Sequence, residues 1–305
     1  MALFGVALLL SGCARSAPET EEQDPASREL VDLGSRIADY SRQAADRAPY
    51  TPPTGTRRER LARGVDHLLD GDSDRARKVL ASAGFSVTRL TDAASGRRYD
   101  EVAARGDGPE ARWGRLYVHA EAGVRWSVQV PHPVADRDTE TLGARLLEGA
   151  PHGALVVAGA HRTSGRGDAA DVAHRTDSAF HAIILELQKR DIPGIQLHGF
   201  AKGASRPYDA IVSSGAARTA SEAAARLADL MDGRDLRVCR GWSARCPLEG
   251  TTNVQGRAAE RHGSTFLHVE LAPTARDGGS KAAPAQAALT GVLAHWSNPR
   301  QSVER

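Results

Sequence analysis

Aromatic side chains are scarce in this 305-residue sequence, at 5% of the chain, and no block interleaves them with basic residues. A nucleic-acid surface normally needs a concentrated basic face with something to stack on, so no nucleic-acid partner is expected. Neither sign of charge is in excess: 40 basic and 38 acidic side chains are well mixed and leave a net charge of +2. The 3 cysteines include no Cys-x-x-Cys pair, which argues against a cysteine-based structural zinc site. Ser213-Ser214 lacks the Gly-x-Ser-x-Gly elbow of many serine hydrolases. There is no internal repeat, and the apolar opening from Met1 to Leu10 is too short to span a bilayer.

What is present suits a globular chain with one substantial core: 41% hydrophobic and 26% charged residues. Helical periodicity is found over 57–69, 74–83, 139–147, 179–190, 219–231 and 285–296. Short apolar or alternating runs at 85–90, 154–158, 194–197, 210–214 and 265–271 predict strands. Residues 113–120 and 124–130 predict a hairpin joined by Glu121-Ala122-Gly123. Helices and strands take turns, which predicts an α/β fold: a single domain with a mostly parallel or mixed central sheet flanked by helices. Residues 14–56, rich in Ser, Ala, Pro, Glu and Arg, read as a flexible tether with room for one short helix over 30–40.

Chemistry-bearing residues collect at strand ends. Pro131-His132-Pro133-Val134-Ala135-Asp136 follows the run Trp126-Ser127-Val128-Gln129-Val130, and His198 closes Ile195-Gln196-Leu197-His198-Gly199. His161-Arg162 follows another strand, and Glu270 lies inside Phe266-Leu267-His268-Val269-Glu270-Leu271. In open α/β sheets, ligands bind at the carboxyl ends of strands, near a reversal of strand order. An imidazole and a carboxylate close in sequence, a distant second imidazole and a lone glutamate are the parts of a hydrolytic zinc site. The glutamate would move a proton, and Arg162 could grip an anionic group with its planar fork. The carboxylate ligand stays open between Asp136, Asp138 and Glu140, any of which could instead cap the helix starting near residue 139. Asp171 could orient a ligand or simply cap a helix. Asn253 fits either polar site lining or loop structure.

These residues, in this order, resemble the zinc carboxypeptidase, aspartoacylase and poly-gamma-glutamate hydrolase superfamily over roughly residues 113–296. The resemblance implies zinc as cofactor, held by His132, Asp136 and His198, with Glu270 as general base. Asp136-Arg137-Asp138-Thr139 resembles the hydrolases' Glu-x-x-Thr. Ala160-His161-Arg162 and Asp171-Val172-Ala173-His174 resemble the Asn-Arg and Asp-Leu-Asn-Arg elements that contact the substrate. That places His161, Arg162, Asp171 and His174 at the substrate, with Arg162 also catalytic; Asn253 is a further substrate-binding candidate. Two departures stand out: His-x-x-x-Asp replaces His-x-x-Glu, and His174 stands where arginine is typical. The implied activity is zinc-dependent hydrolysis of an amide bond, in a peptide, an acylated amino acid or an envelope polymer, through a metal-activated water. A non-catalytic ligand-binding lipoprotein and a zinc-dependent esterase or deacetylase are the alternatives.

Leu10-Ser11-Gly12-Cys13 resembles a bacterial lipobox. It implies a signal peptide over 1–12, an acylated Cys13 holding the chain to a lipid bilayer, a tether over 13–56 and a hydrolase domain over 57–305. The expected location is the bacterial cell envelope, facing the periplasm or exterior. In that oxidising setting the two remaining cysteines, Cys239 and Cys246, are expected to close a small loop, two buried thiols being the alternative.

Overall fold

The computed structural model describes residues 1, 28–45, 49–121, 123–203, 205–217, 219–276 and 278–298. The expected signal peptide and lipidated Cys13 lie outside the described residues. The strands are β1 (Arg28–Val31), β2 (Phe85–Asp92), β3 (Arg98–Ala104), β4 (Arg115–His119), β5 (Trp126–Val130), β6 (Gly153–Val157), β7 (Gly194–Gly199), β8 (Ala210–Ser213), β9 (Val238–Arg240) and β10 (Phe266–Leu271). The helices are α1 (Leu33–Gln43), α2 (Gly55–Leu69), α3 (Ser73–Ser82), α4 (Thr139–Gly149), α5 (Ala179–Lys189), α6 (Glu222–Asp232), α7 (Val254–His262) and α8 (Ala282–Ser297).

All the strands join one mixed sheet in the order β1-β2-β3-β4-β6-β5-β7-β10-β8-β9. Its centre, β6-β5-β7-β10, is parallel, and β2-β3-β4 is an antiparallel meander. Helices α1, α4, α6 and α8 pack on one face, while α2, α3, α5 and α7 pack on the other. This is the α/β sheet with helices on both sides that the alternation of elements predicts.

The central strands are buried on both faces, yet their two faces differ. Val128 and Val130, Ile195 and Leu197, and Leu267 and Val269 all enter the core under α4 and α8. The residues between them, Gln129, Gln196, His198, His268 and Glu270, are buried and polar. Period-two alternation therefore places a row of polar groups on the opposite face. From β5 the chain passes through α4 to β6 on one side, and then through α5 to β7 on the other side of β5. Strand order reverses at β5, and a crevice opens at its carboxyl end, where His132 lies.

Two expectations are corrected. The strands β4 and β5 form no hairpin: β6 lies between them, antiparallel to β4 and parallel to β5. Both are almost wholly buried, so neither carries the exposed alternating face that marks a hairpin partner. The hairpin instead joins β2 to β3, a strand the sequence reading passed over. Nor do residues 28–45 read as tether in the fold. Strand β1 pairs with β2, and Leu33, Ile37 and Tyr40 of α1 are buried, the first two against the core around Leu90 and Tyr99. Their spacing makes an apolar stripe that a composition rich in small and charged residues hid. The folded unit thus begins by Arg28.

Candidate metal centre

Beyond β5 the chain turns sharply, with the Asp136 amide donating to the His132 carbonyl at 2.9 Å. That tight turn, closed between positions four apart, is how His-x-x-x-Asp brings an imidazole and a carboxylate together. Val134 and Asp138 take positive φ values of 70° and 63° in this turn. A β-branched residue there is strained, as is common where backbone is bent to aim functional groups. His198 arrives from the end of β7. Parallel pairing of β7 with β10 sets Glu270 directly beside it and His268 beside Gln196.

His132 Nδ1 and His198 Nδ1 each lie 3.2 Å from Asp136 Oδ2. His132 donates through Nε2 to Asp171 Oδ1 at 2.8 Å, and His198 donates through Nε2 to Gln196 Oε1 at 2.8 Å. With both ring protons so placed, the two neutral imidazoles turn Nδ1 lone pairs toward a carboxylate oxygen. Three electron-rich atoms converging in a buried place call for a cation between them. Two imidazoles and one carboxylate suit a divalent metal and leave positions in its shell open. Of the three candidate carboxylates, Asp136 is the one that reaches both rings. Burial opposes its ionisation, but when protons on those Nδ1 atoms stand in for an ion, hydrogen bonds from His132 and His198 prevail and hold the carboxyl well below its usual range. Burial lowers His198 to about 4, which favours the neutral, ligating form.

Asp171 binds more than His132. Its Oδ2 accepts from Arg162 Nη2 at 2.8 Å and lies 3.2 Å from His174 Nδ1. Gln196 anchors the second imidazole in the same way. Its Oε1 also accepts from Asn253 Nδ2, while its Nε2 donates to Gln129 and Gln255. Glu270 contrasts with all of these. It is buried, its Oε2 has no hydrogen-bond partner, and burial, aided by the nearby Asp136 charge, pushes its carboxyl up to about 8.

A pocket of about 420 Å³ opens over these groups. His132, His198, His268 and Glu270 form its floor, with Arg162 and His174 in the lining. Residues 245–253 make a wall, tied to the sheet by a disulfide between Cys239 on β9 and Cys246. Of the expected substrate contacts, Arg162 and His174 line the pocket, and Asp171 stands behind them as a shared acceptor. Asn253 also lines it, but its Oδ1 caps α7 through the amides of Gln255 and Gly256 and its Nδ2 serves Gln196. Its amide therefore supports the site rather than facing a ligand. His161 Nδ1 pairs with Thr163 Oγ1 at 2.9 Å, and the residue is not among those lining this pocket. Sequence reasoning passed over Gln196 and His268 as site residues. The signal was present in Gln-x-His and His-x-Glu, two polar pairs at strand period on runs that become neighbours.

No protein-family model and no curated protein matches the chain. Solved structures do. It is similar to a succinylglutamate desuccinylase from Chromobacterium violaceum, at 15% identity and a TM-score of 0.40, over 78% of this chain and 74% of that one. It is similar to a zinc-free structure of YNDL, at 16% identity and a TM-score of 0.39, over 59% of this chain and 87% of that one. A metallo-carboxypeptidase from Burkholderia cenocepacia is similar at 12% identity and a TM-score of 0.33, over 73% of this chain and 67% of that one. These are likenesses in outline. The chemistry has to come from this chain's own residues.

Proposed function

We propose that this protein is a metal-dependent hydrolase, with zinc as its ion, that cleaves an amide bond in a peptide, an acylated amino acid or an envelope polymer. The supporting observation is the convergence of His132 Nδ1, His198 Nδ1 and Asp136 Oδ2 beside a buried glutamate that has one carboxylate oxygen without a partner. These three residues would hold the metal. When bound, it would supply Lewis-acid polarisation of a carbonyl and a more acidic water.

The rest falls to the protein. Asp171 and Gln196 fix the tautomer and rotation of the two imidazoles, so that the ligating lone pairs are aimed before any ion arrives. Glu270 acts as the proton carrier: its raised carboxyl makes it a stronger base than an exposed glutamate, able to take a proton from the attacking water and return it to the leaving nitrogen. Arg162 gives one nitrogen to Asp171 and offers its remaining donors to a carbonyl oxygen or carboxylate of the substrate. His174 at the rim, where it also meets Thr252, is a second contact for the substrate.

The test is hydrolysis of a panel of peptides, N-acyl amino acids, esters and N-acetyl compounds by the full chain before and after metal removal. Activity that disappears with a chelator and returns with zinc, on amides in preference to esters, supports the reading. Turnover untouched by metal removal overturns it. We further propose that the protein works in a bacterial cell envelope, held to the bilayer by an acylated Cys13. The Cys239–Cys246 disulfide supports this, since such bonds persist in oxidising compartments. Mass spectrometry of membrane-extracted protein should show a lipid adduct on Cys13; an unmodified Met1 at the N-terminus would exclude it.

A further inference from the structure

One guanidinium touches the three segments that carry Asp136, His198 and Glu270. Arg276, half-buried in the loop after β10, donates through Nε to the Leu271 carbonyl at 3.1 Å and through Nη1 to the Arg137 carbonyl. It also lies against Gly199, where a Cβ would come within 2.6 Å of its Cζ. Arg137, Gly199 and Leu271 are the residues directly after Asp136, His198 and Glu270.

Sheet pairing does only part of this work. Parallel pairing already sets Gly199 beside Leu271, and so fixes His198 against Glu270. The turn that carries Asp136 is outside that ladder. Pairing of β5 with β7 covers residues 127–129 and 194–196, so it stops short of both His132 and His198. Within the turn, Val134 and Asp138 have positive φ, and Asp138, at the N-cap of α4, makes no side-chain cap bond. A strained turn of this kind keeps its shape only if its surroundings hold it. Arg276 supplies such a hold, with donors at fixed spacing on a permanently charged plane, which bonds carbonyls strongly. A glycine at 199 leaves the space in which that plane sits.

We infer that Arg276 is a positioning residue of the metal centre: it holds the Asp136 turn against the ends of β7 and β10, and so sets Asp136 relative to His198 and Glu270. The inference rests on the hydrolase reading for the roles of those three residues. Without this hold the turn relaxes and the donor atoms no longer converge.

The experiment is equilibrium dialysis of the metal-depleted full-length protein against Zn²⁺ alone, with thermal unfolding followed in parallel. Gly199→Ala keeps the arginine and its charge but fills the space it occupies. Arg276→Lys keeps the charge but loses the two-donor fork. Each is expected to weaken zinc binding by about 10–100-fold, the usual worth of a group that orients ligands. In an Arg276→Ala background, Gly199→Ala is expected to cost nothing further, because both changes remove the same contact. The two charge-preserving variants carry the test if Arg276→Ala does not fold. A lowered unfolding temperature with parent-like zinc affinity in both of them makes Arg276 merely structural and overturns the inference, while the hydrolase reading stands. An equal cost of Gly199→Ala with and without the arginine also overturns it. No zinc bound by the parent overturns both.

Discussion

Glu101 and Glu270 lie on strands of one sheet, at 3% and 7% exposure, and are treated in opposite ways. Around Glu101, on the antiparallel side, Arg36 donates through Nε at 3.0 Å and through Nη2 at 2.6 Å, and Arg115 through Nη1 at 2.8 Å. Burial opposes its ionisation, but the two guanidinium groups outweigh burial and hold the carboxyl below its ordinary value. Around Glu270, on the parallel centre, one oxygen has no partner and the carboxyl rises to about 8, chiefly through burial. The same side chain is scaffold in one place and a poised proton carrier in the other. What separates them is whether compensation comes from within the chain. At the parallel centre a buried carboxylate is left unmatched beside the crevice, while the antiparallel side pairs its buried charge.

Glu270→Gln should lower kcat/KM on a confirmed amide substrate by about 10²–10⁴-fold, the usual worth of a positioned proton carrier, while the metal ion is retained. Parent-like turnover would make Glu270 as structural as Glu101 and collapse the contrast. The converse change, Glu101→Gln, leaves Arg36 and Arg115 facing a neutral amide in a buried place. Unfolding by urea should show a loss of about 3–5 kcal/mol, the range for breaking a buried ion pair, with kcat per folded molecule unchanged. A stable variant with reduced kcat would reverse the assignment.

Asp171→Ala sharpens the comparison at the boundary between scaffold and site, because Asp171 is both paired and turned toward a ligand. Chelator competition should reveal metal affinity lowered by about 10–100-fold, as for other partners of ligating histidines. An unchanged affinity would reduce Asp171 to a surface ion-pair residue.

The smallest effect is the pH dependence of stability in metal-free protein. Glu270 holds its proton in the fold up to about 8, whereas the unfolded chain releases it near 4.5, so this stabilising contribution is lost as pH rises through that window. His198 acts in the opposite sense, being neutral in the fold down to about 4 but protonated in the unfolded chain below about 6.5. Above pH 6.5 the glutamate acts without that opposition. Thermal unfolding should therefore show Glu270→Gln gaining on the parent between about pH 6.5 and 8; parallel curves across that range would contradict the raised carboxyl.

Much of the site was legible before folding. His132, Asp136, His198 and Glu270 stand out because polar residues at the ends of apolar runs are rare unless they are used; the first three come within reach of one another, and His132, His198 and Glu270 line one pocket. His161, placed after a strand like the others, differs from them locally in that its ring pairs with a threonine two residues on. His268 was read only as the neighbour of Glu270, because its unpartnered Nδ1 depends on Gln196 and Ser213 being committed elsewhere.

The sequence by itself determined the longer helices and the central strands with their faces, since periodicity of two or near four is a property of neighbouring residues. It also placed His132 close to three candidate carboxylates, and the turn after β5 selected Asp136 among them. Tertiary structure alone decided that β6 separates β4 from β5, that β1 and α1 belong to the domain, and that β10 sets Glu270 against His198. It alone made Asp171 an acceptor shared by three side chains. The physical reason is range: strand order and register follow from packing between segments dozens of residues apart, and no local pattern encodes which distant strand supplies a partner.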